Sequence, residues 1–318
     1  MPSFSYSGGN IYSCFTPIFT VTLRSEKRSA MAQRRRKRPS YKRKNKNSRK
    51  KLLASIIIAI TAIAGTYNYR TELKSAVSDV LSPMGYAVNE DSSDKLTLVK
   101  SPDTMPGQLV EYKGFTVSFN PELRIPNYVA YELTRGETGG DVARAGSFDR
   151  DTDVEGCPEP SDYTRSGYDR GHMAPAADMK WDYDAMHASF YMTNICPQNH
   201  SLNSGGWKRL EEKIRDWAER DSALVVITGP IVEPGHDRLK SGVAVPQKFF
   251  KAVLSPYTKP VRGIAFIYKN AGGQKVIERQ MVSIDSVESA TGLDLFYELP
   301  DEIEDRIEKS SDYNEWNN

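Results

Sequence analysis

The strongest periodicity in the chain lies between residues 203 and 220. There Leu210, Ile214 and Trp217 fall on one stripe at helical spacing, while Lys208, Arg209, Glu212, Lys213, Asp216 and Glu219 occupy the remaining surface. This predicts an amphipathic helix over 203–220 with one face against a core. Elsewhere the apolar runs are short and rich in β-branched and aromatic residues. Residues 109–112, 115–119, 128–133, 191–195, 223–228, 249–254 and 261–268 read as strands, punctuated by Gly114, Asn120-Pro121 and Gly229-Pro230. Residues 185–190 read as a short helix, 301–309 as a charged helix opened by Pro300, and 135–168 as a long loop rich in Gly, Asp, Arg and Pro. Strands that cluster with few helices between them predict the α+β class with a mostly antiparallel sheet.

A different pattern fills the N-terminal part. Residues 34–51 (RRRKRPSYKRKNKNSRKK) hold 12 basic residues and no acid, so mutual repulsion marks them as a disordered tail. Residues 52–69 (LLASIIIAITAIAGTYNY) follow, 18 in a row without a charge. At about 1.5 Å per residue, a helix of that length just spans a hydrocarbon core of roughly 30 Å. Three readings compete. A basic flank before an apolar run is the pattern of a signal anchor, which leaves residues 1–51 cytoplasmic and 70–318 outside. Cleavage after Ala62-Ile63-Ala64 makes it a signal peptide and releases the body. The third reading, a buried core helix behind a nucleic-acid-binding arm, fits poorly because the segment has no polar face. Met31 opens the basic tract and residues 1–30 show no pattern, so translation is expected to start at Met31. Residues 70–108 read as a linker or stalk, and 109–318 as the main domain.

Composition sharpens this picture. The chain of 318 residues has room for one domain of roughly 200 to 250 residues plus an appendage. Its 39% hydrophobic and 26% charged residues exclude a multi-span membrane protein and a wholly disordered chain. Three cysteines without a CxxC pair exclude a disulfide scaffold and a finger-type zinc site. The formal net charge of +2 conceals an asymmetry. Residues 24–51 carry 15 of the 43 Lys and Arg with a single acid, Glu26, so residues 52–318 hold 28 bases against 40 acids, a net charge of −12.

Groups with chemical use concentrate in residues 166–215. Tyr168-Asp169-Arg170-Gly171-His172-Met173-Ala174-Pro175 places an acid, a base and an imidazole within four residues, with Gly171 permitting sharp backbone geometry beside the histidine. Phosphodiester hydrolysis needs a general base of near-neutral pKa and cations for the developing charge, and His172 and Arg170 are of those types. Asn194 and Pro197-Gln198 follow. Next comes Asn203, whose side-chain oxygen at the helix start is of the type that holds a hard cation such as magnesium. Glu211 and Arg215, spaced i, i+4, flank the apolar stripe and can lean toward whatever Asn203 binds. Taken singly, each has a plainer role: a structural histidine, a helix cap, and a surface ion pair worth about 0.3–0.5 kcal/mol. Their conjunction favours a site.

The strings DRGHMAP at 169–175, FYMTNICPQNHSLNSGGW at 190–207 and LEEKIRDWA at 210–218 together resemble the DNA/RNA non-specific endonuclease family, the ββα-metal nucleases, over about residues 110–300. The resemblance implies a central antiparallel sheet with helices on its faces, and a site made of a β-hairpin followed by the 203–220 helix. It implies a magnesium-dependent endonuclease, manganese substituting, that hydrolyses DNA, RNA or both. On that match His172 is the general base, and Asn203 the direct metal ligand, with water completing the coordination. Glu211 holds a metal-bound water, Arg170, Arg215 and upstream Arg135 contact phosphate, Asp169 positions the loop, and Asn194 supports His172. Two other activities remain open: a phosphodiesterase restricted to one nucleic acid or a smaller substrate, and a catalytically silent module that tethers nucleic acid at the membrane.

An acidic body is a poor partner for a polyanion, so binding must come from a local groove drawn from Arg135, Arg144, Arg165, Arg170, Lys208 and Arg215. Cys157 and Cys196 either pair outside the cytoplasm, tying the long loop to the motif, or stay as buried thiols. Residues 31–318, when expressed, should put activity in the membrane fraction, open to protease from the non-cytoplasmic side, whereas 71–318 should be soluble and active. A soluble product of 31–318 with a new N-terminus near Gly65 would establish the cleaved signal instead.

Overall fold

The computed structural model of the chain describes residues 97, 99–309 and 312–317. The basic tail, the apolar segment and most of the expected linker lie outside the described residues. Among the described residues no helix is long and apolar enough to cross a membrane.

In chain order the elements are β1 (Val99–Lys100), β2 (Gln108–Tyr112), β3 (Phe115–Asn120), β4 (Ile125–Thr134), α1 (Arg135–Thr138), β5 (Asp169–His172), α2 (Tyr183–Ala188), β6 (Ile195–Gln198), α3 (Lys208–Asp221), β7 (Ala223–Ile231), β8 (Lys248–Ser255), β9 (Arg262–Lys269), β10 (Met281–Val282), α4 (Ile284–Thr291), β11 (Asp294–Leu295), α5 (Asp301–Glu308) and α6 (Asn314–Asn317). Seven strands form one sheet in the order β10-β9-β8-β7-β4-β3-β2. Each neighbouring pair in it is antiparallel. The expected α+β class with a central antiparallel sheet is what the chain forms.

Both faces of this sheet are covered, which is why its central strands read as continuous apolar runs instead of alternating ones. All nine residues of β7 are buried. The period of two still sorts them. Val129, Tyr131 and Leu133 of β4, Leu224 and Val226 of β7, Phe249 and Val253 of β8, and Ile264, Phe266 and Tyr268 of β9 share one core with Leu210, Ile214 and Trp217 of α3. Their neighbours Tyr128, Ala130, Val225, Ile227, Phe250, Ala252, Leu254 and Ala265 meet Ile284 and Val287 of α4 and Ile303 and Ile307 of α5 on the opposite face. Complete burial of one such Leu, Ile or Phe contributes roughly 1.5–3 kcal/mol. The face under α3 also receives Met173, Ile195, Cys196 and Leu202, so the β5-β6 hairpin is anchored on the same side.

The structure departs from the sequence pattern in four places. The apolar run 191–195 does not form a strand. The chain makes a tight turn at Met192–Asn194 and joins the two-stranded β5-β6 hairpin only at Ile195. The buried Asn194 amide drives this by bonding to two earlier stretches of backbone, at Ala174 and Ser189. The domain also begins before residue 109, because Val99 and Lys100 pair with Leu295 and Asp294. Helix α4 was not anticipated, although Ser283 caps its start by accepting from Ser286 N, and Gly292, in the left-handed region at φ 74°, closes its end. Finally, the 203–220 helix begins with a widened π-helical turn over Leu202–Trp207, and regular α-helix starts only at Lys208. Gly206 sits in this turn where a Cβ would come within 2.1 Å of the Gln274 carbonyl, so only glycine lets the two segments approach.

Trp217 joins α3 to the sheet and to the C-terminus, with ring centres 6.3 Å from Phe266 and 4.8 Å from Trp316. Trp217→Ala should lower the unfolding free energy by about 3–5 kcal/mol in urea titrations. A loss under about 1 kcal/mol would contradict this packing.

Candidate active site

Hairpin β5-β6 and the widened turn before α3 bring the motif residues together. Asp169 opens β5, and its Oδ2 accepts a hydrogen bond from Asn203 Nδ2 at 2.9 Å and lies 2.9 Å from His200 Nδ1. With its nitrogen committed, the Asn203 amide has a fixed orientation. Its Oδ1 forms no hydrogen bond among the described residues. An Asp carboxylate that orients a neutral oxygen donor fits a hard cation that keeps most of its water. Among the described residues, the one group of three His, Cys, Asp or Glu side chains close enough to share an ion is Asp285, Glu288 and Glu308, on the opposite face of the sheet. The motif itself holds no such group among the described residues.

His172 ends β5. Its ring packs against Phe148 at 5.3 Å and edge-on against Phe190 at 4.9 Å. Its Nε2 is buried without a hydrogen-bond partner although the residue keeps some exposure. Burial, with the positive charge of Arg144, pushes its pKa down to about 3, so the imidazole is neutral throughout the neutral range. The residues after it are held by Asn194, which is completely buried. Asn194 Oδ1 accepts from Ala174 N at 2.8 Å, and its Nδ2 donates to the carbonyls of Ala174 at 2.9 Å and Ser189 at 2.8 Å. The expected support for His172 therefore runs through the backbone of the following residues, not through the ring.

Beneath the hairpin lies a set of buried charges. Arg215 Nη1 donates to Asp178 Oδ1 at 2.7 Å, and Tyr131 Oη donates to the other oxygen of that carboxylate at 2.9 Å. The i, i+4 Glu211-Arg215 ion pair is thus not formed; the arginine is taken by Asp178. Glu211 forms no hydrogen bond or ion pair among the described residues, and burial raises its carboxyl pKa while the positive charges of Lys251 and Arg215 act against that rise. Lys251, a completely buried residue of β8, is the group that motif reasoning missed. Burial lowers its ammonium pKa and Glu211 opposes the fall. Its position, some forty residues beyond the motif in an apolar strand, is the only sequence signal: a charge where the pattern demands none.

The model of the family described as DNA/RNA non-specific endonuclease matches residues 92–302. The chain belongs to this family. It is 33% identical to the mitochondrial nuclease EXOG of Danio rerio over 211 residues, covering 58% of this chain and 60% of that protein. It is 32% identical to the mitochondrial endonuclease G of Homo sapiens over 208 residues, covering 59% of this chain and 70% of that one. Nuclease C1 of Cunninghamella echinulata var. echinulata is 34% identical over 210 residues, at 60% of this chain and 83% of the relative. The chain spans less than two thirds of the length of the EXOG relatives it matches. In the solved EndoG/EndoGI complex one chain superposes with a TM-score of 0.56 at 25% identity, covering 61% of this chain and 89% of that one.

The arginines of this endonuclease-family domain divide into those at the site and those spent elsewhere. Arg170 donates from Nε and Nη2 to the Pro160 carbonyl, at 3.2 and 2.6 Å, and lies 5.4 Å over the Phe148 ring. Arg144 lies 4.8 Å over the Phe190 ring. Phe148 and Phe190 both pack on His172, so each guanidinium shares an aromatic neighbour with the imidazole, and the charge of Arg144 acts on it. Arg135 is engaged elsewhere. It sits in α1, and its guanidinium donates to the carbonyls of Glu219 and Arg220 and to Ser222 Oγ. It thus caps the C-terminal end of α3, where a cation meets the negative end of the helix dipole, two turns away from Glu211. The upstream arginine beside His172 is Arg144. Lys208 is paired with Glu212 at 3.6 Å. Cys157 and Cys196 are both buried and unbonded, and burial raises both thiols, Cys157 to about 11, which makes them inert.

The depressed His172 pKa has a stability consequence. Below pH 6.5 the unfolded chain takes up a proton that the native site refuses, so stability falls as pH drops from about 6.5 toward about 3 and is fully present above that window. NMR titration should find the ring neutral at pH 5. A midpoint near 6.5 would show that the ring is not desolvated as described.

Proposed function

We propose that the domain is a magnesium-dependent endonuclease, with manganese able to substitute, that hydrolyses phosphodiester bonds in DNA, RNA or both. The observation that carries this reading is a neutral imidazole packed against Phe148 and Phe190, the rings under Arg170 and Arg144, on the hairpin whose Asp169 orients the Asn203 amide. Asn203 Oδ1 would hold the ion directly and Glu211 through water. When bound, the ion supplies Lewis-acid stabilisation of charge on the phosphate and on the departing 3′-oxygen. His172 would accept the proton of the attacking water on its ring, and the anionic phosphate beside it would oppose the desolvation that depresses its pKa in the unliganded site. Arg144 and Arg170, kept in place by aromatic faces, bind phosphate oxygens, while Asp178 restricts Arg215 to those donors not already engaged. Phosphate contacts from the protein read no base edges, which agrees with cleavage lacking sequence preference. The names of the relatives, nuclease EXOG and endonuclease G, support the reaction class. Location outside the cytoplasm on the 52–69 segment, or release after its cleavage, belongs to this proposal and is supported by the basic flank and apolar run.

A plasmid and an RNA incubated with the protein, with and without EDTA, test the reading directly. His172→Ala should lower the cleavage rate by about 10² to 10⁴. Asn203→Ala should nearly abolish it even at high magnesium, whereas Glu211→Gln should raise the magnesium requirement and lower the rate by roughly 10 to 100-fold. Arg144→Ala should weaken cleavage and its salt dependence, while Arg135→Ala should cost stability and leave turnover near wild type. Wild-type turnover in His172→Ala would overturn the assignment of the general base, whereas binding of nucleic acid without any cleavage by the wild-type chain would leave a silent nucleic-acid-binding module.

A further inference from the structure

The backbone just past His172 is held by two side chains. Asn194 takes both polar groups of Ala174, and its own carbonyl accepts from Met173 N at 3.0 Å. The remaining group, the Met173 carbonyl, accepts from Lys251 Nζ at 3.0 Å. Lys251 lies in β8 across from Thr228 of β7 and Phe266 of β9, on the sheet face that carries the site. Its Nζ also donates to Thr228 Oγ1 at 3.2 Å, and that hydroxyl gives its own proton to the Phe250 carbonyl at 2.9 Å, which fixes it as an acceptor. The ammonium lies 4.7 Å from the ring centre of Trp207, the last residue of the widened turn that contains Asn203. A carbonyl, a hydroxyl and an aromatic face together satisfy its three N–H donors.

A neutral donor could anchor one carbonyl with a far smaller desolvation cost, so the buried charge needs its own reason. The charged and titratable groups around it are Glu211 and Arg215 from α3, Asp178 from the turn after β5, and Tyr131 from β4. Two carboxyls and two cations make this set neutral when all four are ionised. Removing Lys251 would leave Glu211 facing an uncompensated site. We propose that Lys251 is a positioning residue, which ties the His172 loop to the Asn203 turn through the sheet and acts through its charge as well as its hydrogen bonds. The proposal rests on the nuclease reading given above.

Lys251→Met keeps volume but removes charge and donors, and Lys251→Ala opens room for a small amine. Both should lower kcat by about 10 to 100-fold with KM for nucleic acid within a factor of about three, the scale of changes that disturb orientation and not binding. Propylammonium should restore kcat in Lys251→Ala, and propanol of the same shape should not. Wild-type kcat in Lys251→Met, a rise in KM alone, or equal rescue by propanol would overturn the proposal. Where these variants fail to fold, Thr228→Val removes one anchor of the ammonium at nearly constant volume. It should lower kcat several-fold at unchanged KM, and an unchanged kcat there would overturn the proposal as well. The NMR resonances of His172 and Met173 should shift in Lys251→Met whether or not the protein cleaves. Their failure to move sinks this inference alone, while a wild-type chain that cuts no nucleic acid sinks the nuclease reading.

Discussion

Charges taken out of water must be answered nearby, and the arrangement around the motif follows from that requirement. Asp178 is buried because Arg215 and Tyr131 occupy its oxygens, and Lys251 is tolerated inside an antiparallel sheet because a carbonyl, a hydroxyl and an indole receive it. These contacts join α3, β4, β7 and β8 to the segment after β5. The hairpin is therefore not an appendage laid on the sheet but the upper side of a polar cluster whose lower side is the sheet itself. A shift in one member exposes an unpaired charge at another, which is a strong restraint on geometry even where the net stabilisation is small.

The parts of this organisation written locally were readable from sequence. The stripe of Leu210, Ile214 and Trp217 predicted the helix and its buried face, and all three are within 1% of complete burial. The strands of the sheet followed from β-rich runs, and the motif strings pointed to a hairpin that does pair residue 169 with 198 and 172 with 195. What was not readable depends on distant partners. Arg135 and Arg144 look equivalent in a loop without periodicity. Only the arrival of the α3 C-terminus beside Arg135 and of Phe190 beside Arg144 separates a helix cap from a site cation. Asn194 breaks an apolar run because its amide is claimed by backbone twenty residues earlier. Lys251 is hidden for the same reason: its partners come from three other segments of the chain.

The acidic balance of residues 52–318 is reconciled with a polyanionic substrate by placement. At the motif, Arg144 and Arg170 lie over aromatic rings, which hold a guanidinium without neutralising it. Acidic groups gather instead on the other face, where the carboxyls of Glu288, Glu304 and Glu308 are all raised first by burial and further by neighbouring carboxylates, Asp294 and Asp285 in the case of Glu288. The two faces of one sheet thus carry opposite electrostatic characters.

The widened turn over Leu202–Trp207 separates two phases along one continuous helical segment. From Lys208 onward the angular position of each side chain is dictated by the stripe that packs on the sheet. Before it, a turn with roughly one extra residue lets Asn203 point by a different rule, toward Asp169. The helix therefore behaves as a rigid shaft fitted with an adjustable collar. Insertion or loss of a single residue in the collar would rotate the ligand-bearing amide by about a quarter turn or more without disturbing the shaft. The direction of the Asn203 amide within such a scaffold can then vary with length at 202–207, with every residue of the motif left unchanged.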